Sequence, residues 1–217
     1  AMGAGTVASN IVSTAMGANS NASGYASTAM GQSTNATGDY STAIGLSSDA
    51  GGEASTAIGW ATTASGNYST AMGYNTTAGG DYSTAMGINT LASADYSTAM
   101  GGGTLASGAY STAMGLNTTA SGNFSTATGS NVSTNNHEGA FIIGDHSTAT
   151  VLNSANTNNF RARFAGGYKL FTSADLSTGC TLFAGDNAWT TGSSVYTKEN
   201  FAAVNGEDFL QKISRFN

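Results

Sequence analysis

Small apolar and hydroxylated residues alternate along most of this chain, and the alternation restarts every fourteen residues. The segment 69–82, STAMGYNTTAGGDY, is one copy of the unit. Its core, Ser-Thr-Ala-x-Gly, begins at Ser13, Ser27, Ser41, Ser55, Ser69, Ser83, Ser97, Ser111 and Ser125, with no insertion between copies. A fixed short period of this kind is the signature of a solenoid. With that Ser as position one, position four is Met16, Met30, Ile44, Ile58, Met72, Met86, Met100 and Met114. Position five is always Gly, position ten is Ala in eight copies, and position twelve is Gly in seven of those eight, with Ala94 the exception. Position fourteen is aromatic at Tyr40, Tyr68, Tyr82, Tyr96, Tyr110 and Phe124.

Two glycines seven residues apart divide the unit into two short strands of about five residues, since Gly supplies the positive φ of tight turns. Side chains alternate along a strand. Tyr82, Thr84 and Met86 therefore point one way and Ser83 and Ala85 the other, while Thr76 and Ala78 share a face opposite to Asn75 and Thr77. A two-strand coil is narrow, so the Ser, Ala and Thr ladders belong inside it and the Tyr/Thr/Met face outside. The eight Met and Ile residues and the six aromatics then form a stripe larger than a soluble monomer normally exposes, and a homo-oligomer seam is the economical cover. An ordinary globular core is disfavoured because Ala and Gly leave nothing else in the repeat to cover the stripe. A helix is excluded, because each internal Gly costs it about 1 kcal/mol.

Residues 1–135 form the repeat region, which at about 4.8 Å per coil makes a rod of about 43 Å. The ninth copy decays, with Thr128 in place of Met, Thr134 in place of Ala and Asn136 in place of Gly. Residues 136–192 read as a β-rich connector. It contains the apolar strand Gly139–Gly144, an isolated Ser147-Thr148-Ala149 echo, and a turn-rich stretch at 153–159. Phe160–Phe164 and Tyr168–Phe171, joined through Gly166-Gly167, predict a β-hairpin, and 181–183 and 188–190 continue the β character. A C-terminal helix is expected with Asn205 as its cap, Glu207 and Asp208 in the first turn, and Phe209, Leu210, Ile213 and Phe216 at helical spacing.

Of the 217 residues only 8% are charged, Pro is absent, and residues 1–135 hold no Lys or Arg. Such a surface suits an extracellular fibre. It lacks the basic footprint that nucleic acid requires, and no apolar run approaches a membrane span. The lone Cys180 excludes an internal disulfide and a Cys-based metal site and reads as a small buried residue. Ala1-Met2-Gly3 lies fourteen residues before Ala15-Met16-Gly17, so the sequence opens within a coil. That suggests a piece of a longer chain whose export signal and anchor lie elsewhere.

The repeats, STAIG or STAMG followed by NTTASGNY, resemble the head repeats of trimeric autotransporter adhesins, the YadA-like heads. The resemblance covers residues 1–135 and implies an all-β, left-handed parallel β-roll forming a homotrimer. With three chains, the seam expected from the stripe becomes a trimer interface of the position-four Met/Ile residues and the position-fourteen aromatics. The resemblance also implies an extracellular, cell-surface fibre that attaches to host or environmental surfaces, and no cofactor. The ligand, protein or glycan, stays open. Exposed corner residues such as Trp60, Tyr74, Ile88 and Leu116 vary between coils and are where binding would fall. An ice-binding solenoid is disfavoured by the Met and Tyr of the outer face.

Further along, Asn136-His137-Glu138-Gly139-Ala140-Phe141, Asn159–Arg163 and Lys198-Glu199-Asn200-Phe201 resemble elements of phage tail fibres that lead into an endosialidase-type intramolecular chaperone. That resemblance makes 193–217 the start of a truncated chaperone domain. By the family's spacing Ser193 would be the nucleophile and Lys198 the base of autocleavage after Gly192, a role that needs a desolvated Lys. Ser194 stands where the family has Asp and Val195 where it often has Arg. The family's chaperone body does not follow Asn217, so no enzyme activity is expected of this chain as it stands. The alternative to the adhesive fibre is a phage tail-fibre segment with a self-cleaving precursor. Asp145-His146 suggests a metal pair that three chains could repeat around an axis, but isolated histidines at a junction read rather as hydrogen-bonding groups, and no metal site is assigned.

Overall fold

A computed structural model describes residues 1–176 and 179–191. The expected C-terminal helix, the 193–217 segment, Ser193 and Lys198 lie outside the described residues.

Each repeat folds into one coil. A five-residue strand such as Thr84–Ile88 is followed by a two-residue strand such as Leu91–Ala92, shorter than the five expected. Every strand pairs in parallel with its equivalent one period away: Thr84 lies beside Thr70 and Thr98, and Met86 beside Met72 and Met100. The sheet is therefore a parallel β-solenoid with fourteen-residue coils, as the period predicts.

The interior is made of very small side chains. Ala85 and Ala78 at positions three and ten, Ser83 at position one and Thr76 at position eight are buried, as are their equivalents along the rod. Only such residues fit between two strand layers this close. The Ser at position one also carries a specific bond: Ser83 Oγ donates to the Gly80 carbonyl at 2.6 Å, and Ser55 Oγ to Gly52 at 2.7 Å. It closes the corner from inside, where an unmet carbonyl would be expensive.

The glycines do a different job from the one the sequence suggests. The left-handed corners fall at positions seven and fourteen, mostly on non-glycine residues, for example Asn75 and Asn89 (φ 51° and 53°) and Tyr82 and Tyr96 (both 57°), with Gly5 and Gly103 the glycines among them. Asn tolerates this region, and each corner N–H bonds the preceding coil, as Tyr82 does to the Asn67 carbonyl at 2.8 Å. The position-twelve glycines need space instead. A Cβ on Gly66 would sit 2.0 Å from the Gly80 carbonyl oxygen in the next coil. Gly87, inside its strand, has both demands: φ 125°, and a Cβ that would meet the Gly101 oxygen at 2.1 Å. It follows that Tyr82 belongs to a corner and not to the strand that carries Thr84 and Met86.

The parallel ladder continues beyond residue 135. Phe141–Gly144 pairs with Thr126–Ser133, and Phe160–Arg163 pairs in parallel with Phe141–Gly144. Here Ile142 takes the place of the core Ala and Val132 that of the core Thr, beside Ala127 and Thr118 respectively. The expected hairpin of Phe160–Phe164 with Tyr168–Phe171 does not form, because the first of these strands is committed to the solenoid. Ala1–Phe164 is one compact unit. In the second unit, Gly167–Phe171 pairs antiparallel with Gly179–Phe183, which pairs with Thr190–Thr191. Half-exposed Cys180 lies on the middle strand.

Candidate interaction surface

The longer strand presents positions two, four and six outward and buries position three. Parallel pairing with no slip turns position four into a row: Met16, Met30, Ile44, Ile58, Met72, Met86, Met100 and Met114 stand in register from coil to coil. These side chains are half-exposed, Met30 and Met86 reaching 37%. A Thr column at position two runs beside them.

The aromatics form a second column at the adjoining corner. Tyr68, Tyr82, Tyr96, Tyr110 and Phe124 stack face to face, with centroids 4.6–5.1 Å apart and planes within 7°. Tyr40 does not join them, since Ala54 interrupts the column; it meets Tyr25 edge-on at 5.5 Å. The structure thus brings five of the six sequence-predicted aromatics into one stack, on a corner rather than on the Met-bearing strand.

Beside this stack, position thirteen does work the sequence reading missed. Asp81 Oδ1 accepts from the Asn67 N–H at 2.8 Å, Asp95 Oδ1 from Asp81 N–H at 3.0 Å, and Asp39 Oδ1 from Tyr25 N–H at 2.8 Å. Few carboxylates occur in the repeat, and these tie one coil to the one before it. Their signal was the recurrence of Asp and Asn at position thirteen. Glu53 instead accepts from the Tyr68 hydroxyl at 3.2 Å. Its charge and that bond push the Tyr68 phenol above its ordinary value, while partial desolvation raises Tyr96.

At position six Trp60 and Tyr74 are exposed and meet edge to face, centroids 5.0 Å apart. Ile88 and Leu116 are exposed on their own coils.

Near the last coils, Arg163 Nε pairs with Asp145 at 3.1 Å, and its Nη atoms donate to the carbonyls of Thr150, Ser130 and Asp145. This guanidinium fastens the loop that the Ser-Thr-Ala echo forms. His146 Nδ1 lies 2.8 Å from Ser130 Oγ, and half-buried His137 sits on a separate turn. Among the described residues no three His, Cys, Asp or Glu side chains converge as a metal site would need. Nor is any helix among them long and apolar enough to cross a membrane.

Fold and surface together define a parallel β-solenoid with a continuous apolar row on one strand face. The model of the YadA head domain repeat (2 copies) matches residues 8–33, 22–48, 50–76, 78–104 and 106–131, more than half of the chain. The chain belongs to the YadA head repeat family, and a trimer fits that family. No curated protein matches it.

Proposed function

We propose that this chain is the head of a trimeric, adhesive surface fibre that attaches its bearer to host or environmental surfaces. The observation that carries the reading is the unbroken Met/Ile row: eight coils present it in register, and among the described residues of this unit no element lies over it. Three copies packed along that row would bury it, with the stacked aromatics at the margin of the seam. The heads of this family are surface-exposed parts of adhesins, which favours an extracellular location. The rod has no basic residue across 1–135, so attachment would rely on shape, apolar contacts and hydrogen bonds rather than on charge.

Adhesion is tested directly with beads that carry the whole chain, scored on cultured cells, matrix proteins, glycan films and plastic against uncoated beads. Retention above the uncoated control on one class of surface supports the reading; none on any of them contradicts it. The self-processing alternative draws on Ser193 and Lys198 in the sequence alone. Mass spectrometry of the full gene product decides it, since a fragment ending at Gly192, absent in Ser193→Ala, would establish cleavage.

A further inference from the structure

Position six ends the longer strand, and the coil leaves it free: Ala18, Gln32 and Gly102 stand there as readily as large residues. Yet four successive coils carry Leu46, Trp60, Tyr74 and Ile88, paired in register. At about 4.8 Å per coil they make an apolar strip about 14 Å long. Three of the four are well exposed, Trp60 at 53%, Tyr74 at 44% and Ile88 at 56%.

The two rings of this strip are arranged unlike the corner stack. Tyr82, Tyr96 and Tyr110 each have both faces covered by parallel neighbours, so between its end rings Tyr68 and Phe124 that column offers only ring edges. Trp60 and Tyr74 stand at 88° to each other. In such a pair the ring that gives its edge keeps both faces free of its partner, and the other keeps one. An open aromatic face, negative in its quadrupole, attracts polarised C–H groups or a cation.

The polar groups that follow Tyr74 and Ile88 are uncharged. Asn75 and Asn89, at the next position, are exposed and joined by one hydrogen bond of 2.7 Å, donated by Asn75 Nδ2 to Asn89 Oδ1. That leaves the Asn75 carbonyl and the Asn89 amide N–H groups to meet hydroxyls. No Lys or Arg occurs in 1–135 to hold a carboxylate or sulfate. A specific protein interface buries about 1,200–2,000 Å², more than four side chains provide. An exposed aromatic platform with a few uncharged amides beside it suits stacking and hydrogen bonding of a small hydroxylated ligand.

We propose that the strip centred on Trp60 and Tyr74 is a ligand subsite of the head. It takes a neutral, hydroxyl-rich oligosaccharide: a pyranose face stacks on the open ring while the Asn75 and Asn89 amides bond its hydroxyls. The inference rests on the adhesive, trimeric reading, under which three strips per fibre raise the avidity of a weak single contact.

The test uses the whole chain carrying Trp189→Phe, which leaves Trp60 as its one tryptophan. It is titrated with neutral glucan, mannan, galactan and chitin oligosaccharides, with sialylated and sulfated oligosaccharides, and with choline. The expected result is a shift of Trp60 emission with at least one neutral oligosaccharide. Followed by titration calorimetry, since neither variant keeps a tryptophan, Trp60→Ala should lower that affinity about tenfold or more, with Trp60→Phe losing less and the solution mass unchanged. Undiminished binding in Trp60→Ala, a preference for the anionic sugars or for choline, or no binding of any neutral oligosaccharide overturns the proposal. Beads that adhere equally well with Trp60→Ala overturn the subsite and leave adhesion standing; beads that adhere to nothing overturn the adhesive reading itself.

Discussion

Tyr96 and Tyr110 lie ring on ring, centroids 4.6 Å apart and planes 2° from parallel, although both residues hold a left-handed backbone at φ 57°. A bulky residue in that region is strained by about 1–3 kcal/mol. An aromatic contact returns about 0.5–1.5 kcal/mol, and Tyr96 makes two. Stacking and strain are therefore of similar size. Tyr96→Ala should lower the unfolding free energy by about 1–3 kcal/mol, because it loses both contacts and keeps most of the strain. Tyr96→Asn, which suits the left-handed region, should lose less. Urea midpoints of both variants at one protein concentration check the order; Asn falling below Ala would refute it.

The glycines of positions five and twelve set the closeness of the coils. Gly66→Ala would press a methyl to 2.0 Å from the Gly80 carbonyl oxygen, backbone against backbone. Neither side can yield without moving a coil, and a loss of about 3 kcal/mol or more is expected. At Gly79 the nearest atom to an added Cβ is 3.8 Å away, so Gly79→Ala should stay within about 0.5 kcal/mol of the parent. Thermal unfolding of the two single variants, residues thirteen apart in one sequence, separates the cases.

Position eight offers a gain. The buried Thr62 hydroxyl finds no hydrogen-bond partner in the coil interior, whereas Ser48 at the same position donates to the Gly59 carbonyl at 3.0 Å. A buried hydroxyl without a partner costs about 1–3 kcal/mol. Thr62→Val keeps the shape and removes that cost, so it should stabilise the chain by about 1 kcal/mol. Ser48→Ala should destabilise it by a similar amount. Equal effects of the same sign would mean that the interior hydroxyls are alike.

Asp49 gives the rod a pH dependence. Burial pushes its carboxyl up, because desolvation disfavours the charged form. A folded value above the unfolded one means that the folded chain holds the proton more tightly. The stability linked to it is complete below the ordinary carboxylate range and is lost as pH rises through the raised value. The preceding coil already has Asn35 in register with Asp49. Asp49→Asn should accordingly raise the unfolding free energy at about pH 7, by less than about 1 kcal/mol for a half-buried and partly screened group, and the gain should vanish at about pH 3. A gain that grew on acidification would reverse the sign of this account.

Much of the architecture was legible from the repeat itself. The fourteen-residue period fixes the coil, and two-residue alternation puts Ser83 and Ala85 inside and Met86 outside. What could not be read depended on contacts between coils. Turn chemistry points to Gly at a corner, but Gly66 and Gly80 answer to the approach of the next coil, and the corners fall to Asn75 and Tyr82. The alternation in Phe160–Phe164 shows a strand without naming its partner, which is Phe141–Gly144 rather than the nearer Tyr168–Phe171. At the surface, the Met row followed from sequence. The bonds of Asp81 and Asp95 to a neighbouring coil, and the edge-on setting of Trp60 against Tyr74, needed the coordinates.

The central claim is that the Met/Ile row is a seam between three copies. Light scattering of the whole chain, with Met86→Glu beside it, tests this most directly. Three chains per particle are predicted for the parent, and a smaller particle for Met86→Glu, because a buried unpaired charge in an apolar seam costs several kcal/mol. A parent that remains a stable, soluble monomer would contradict the seam and the fibre built on it.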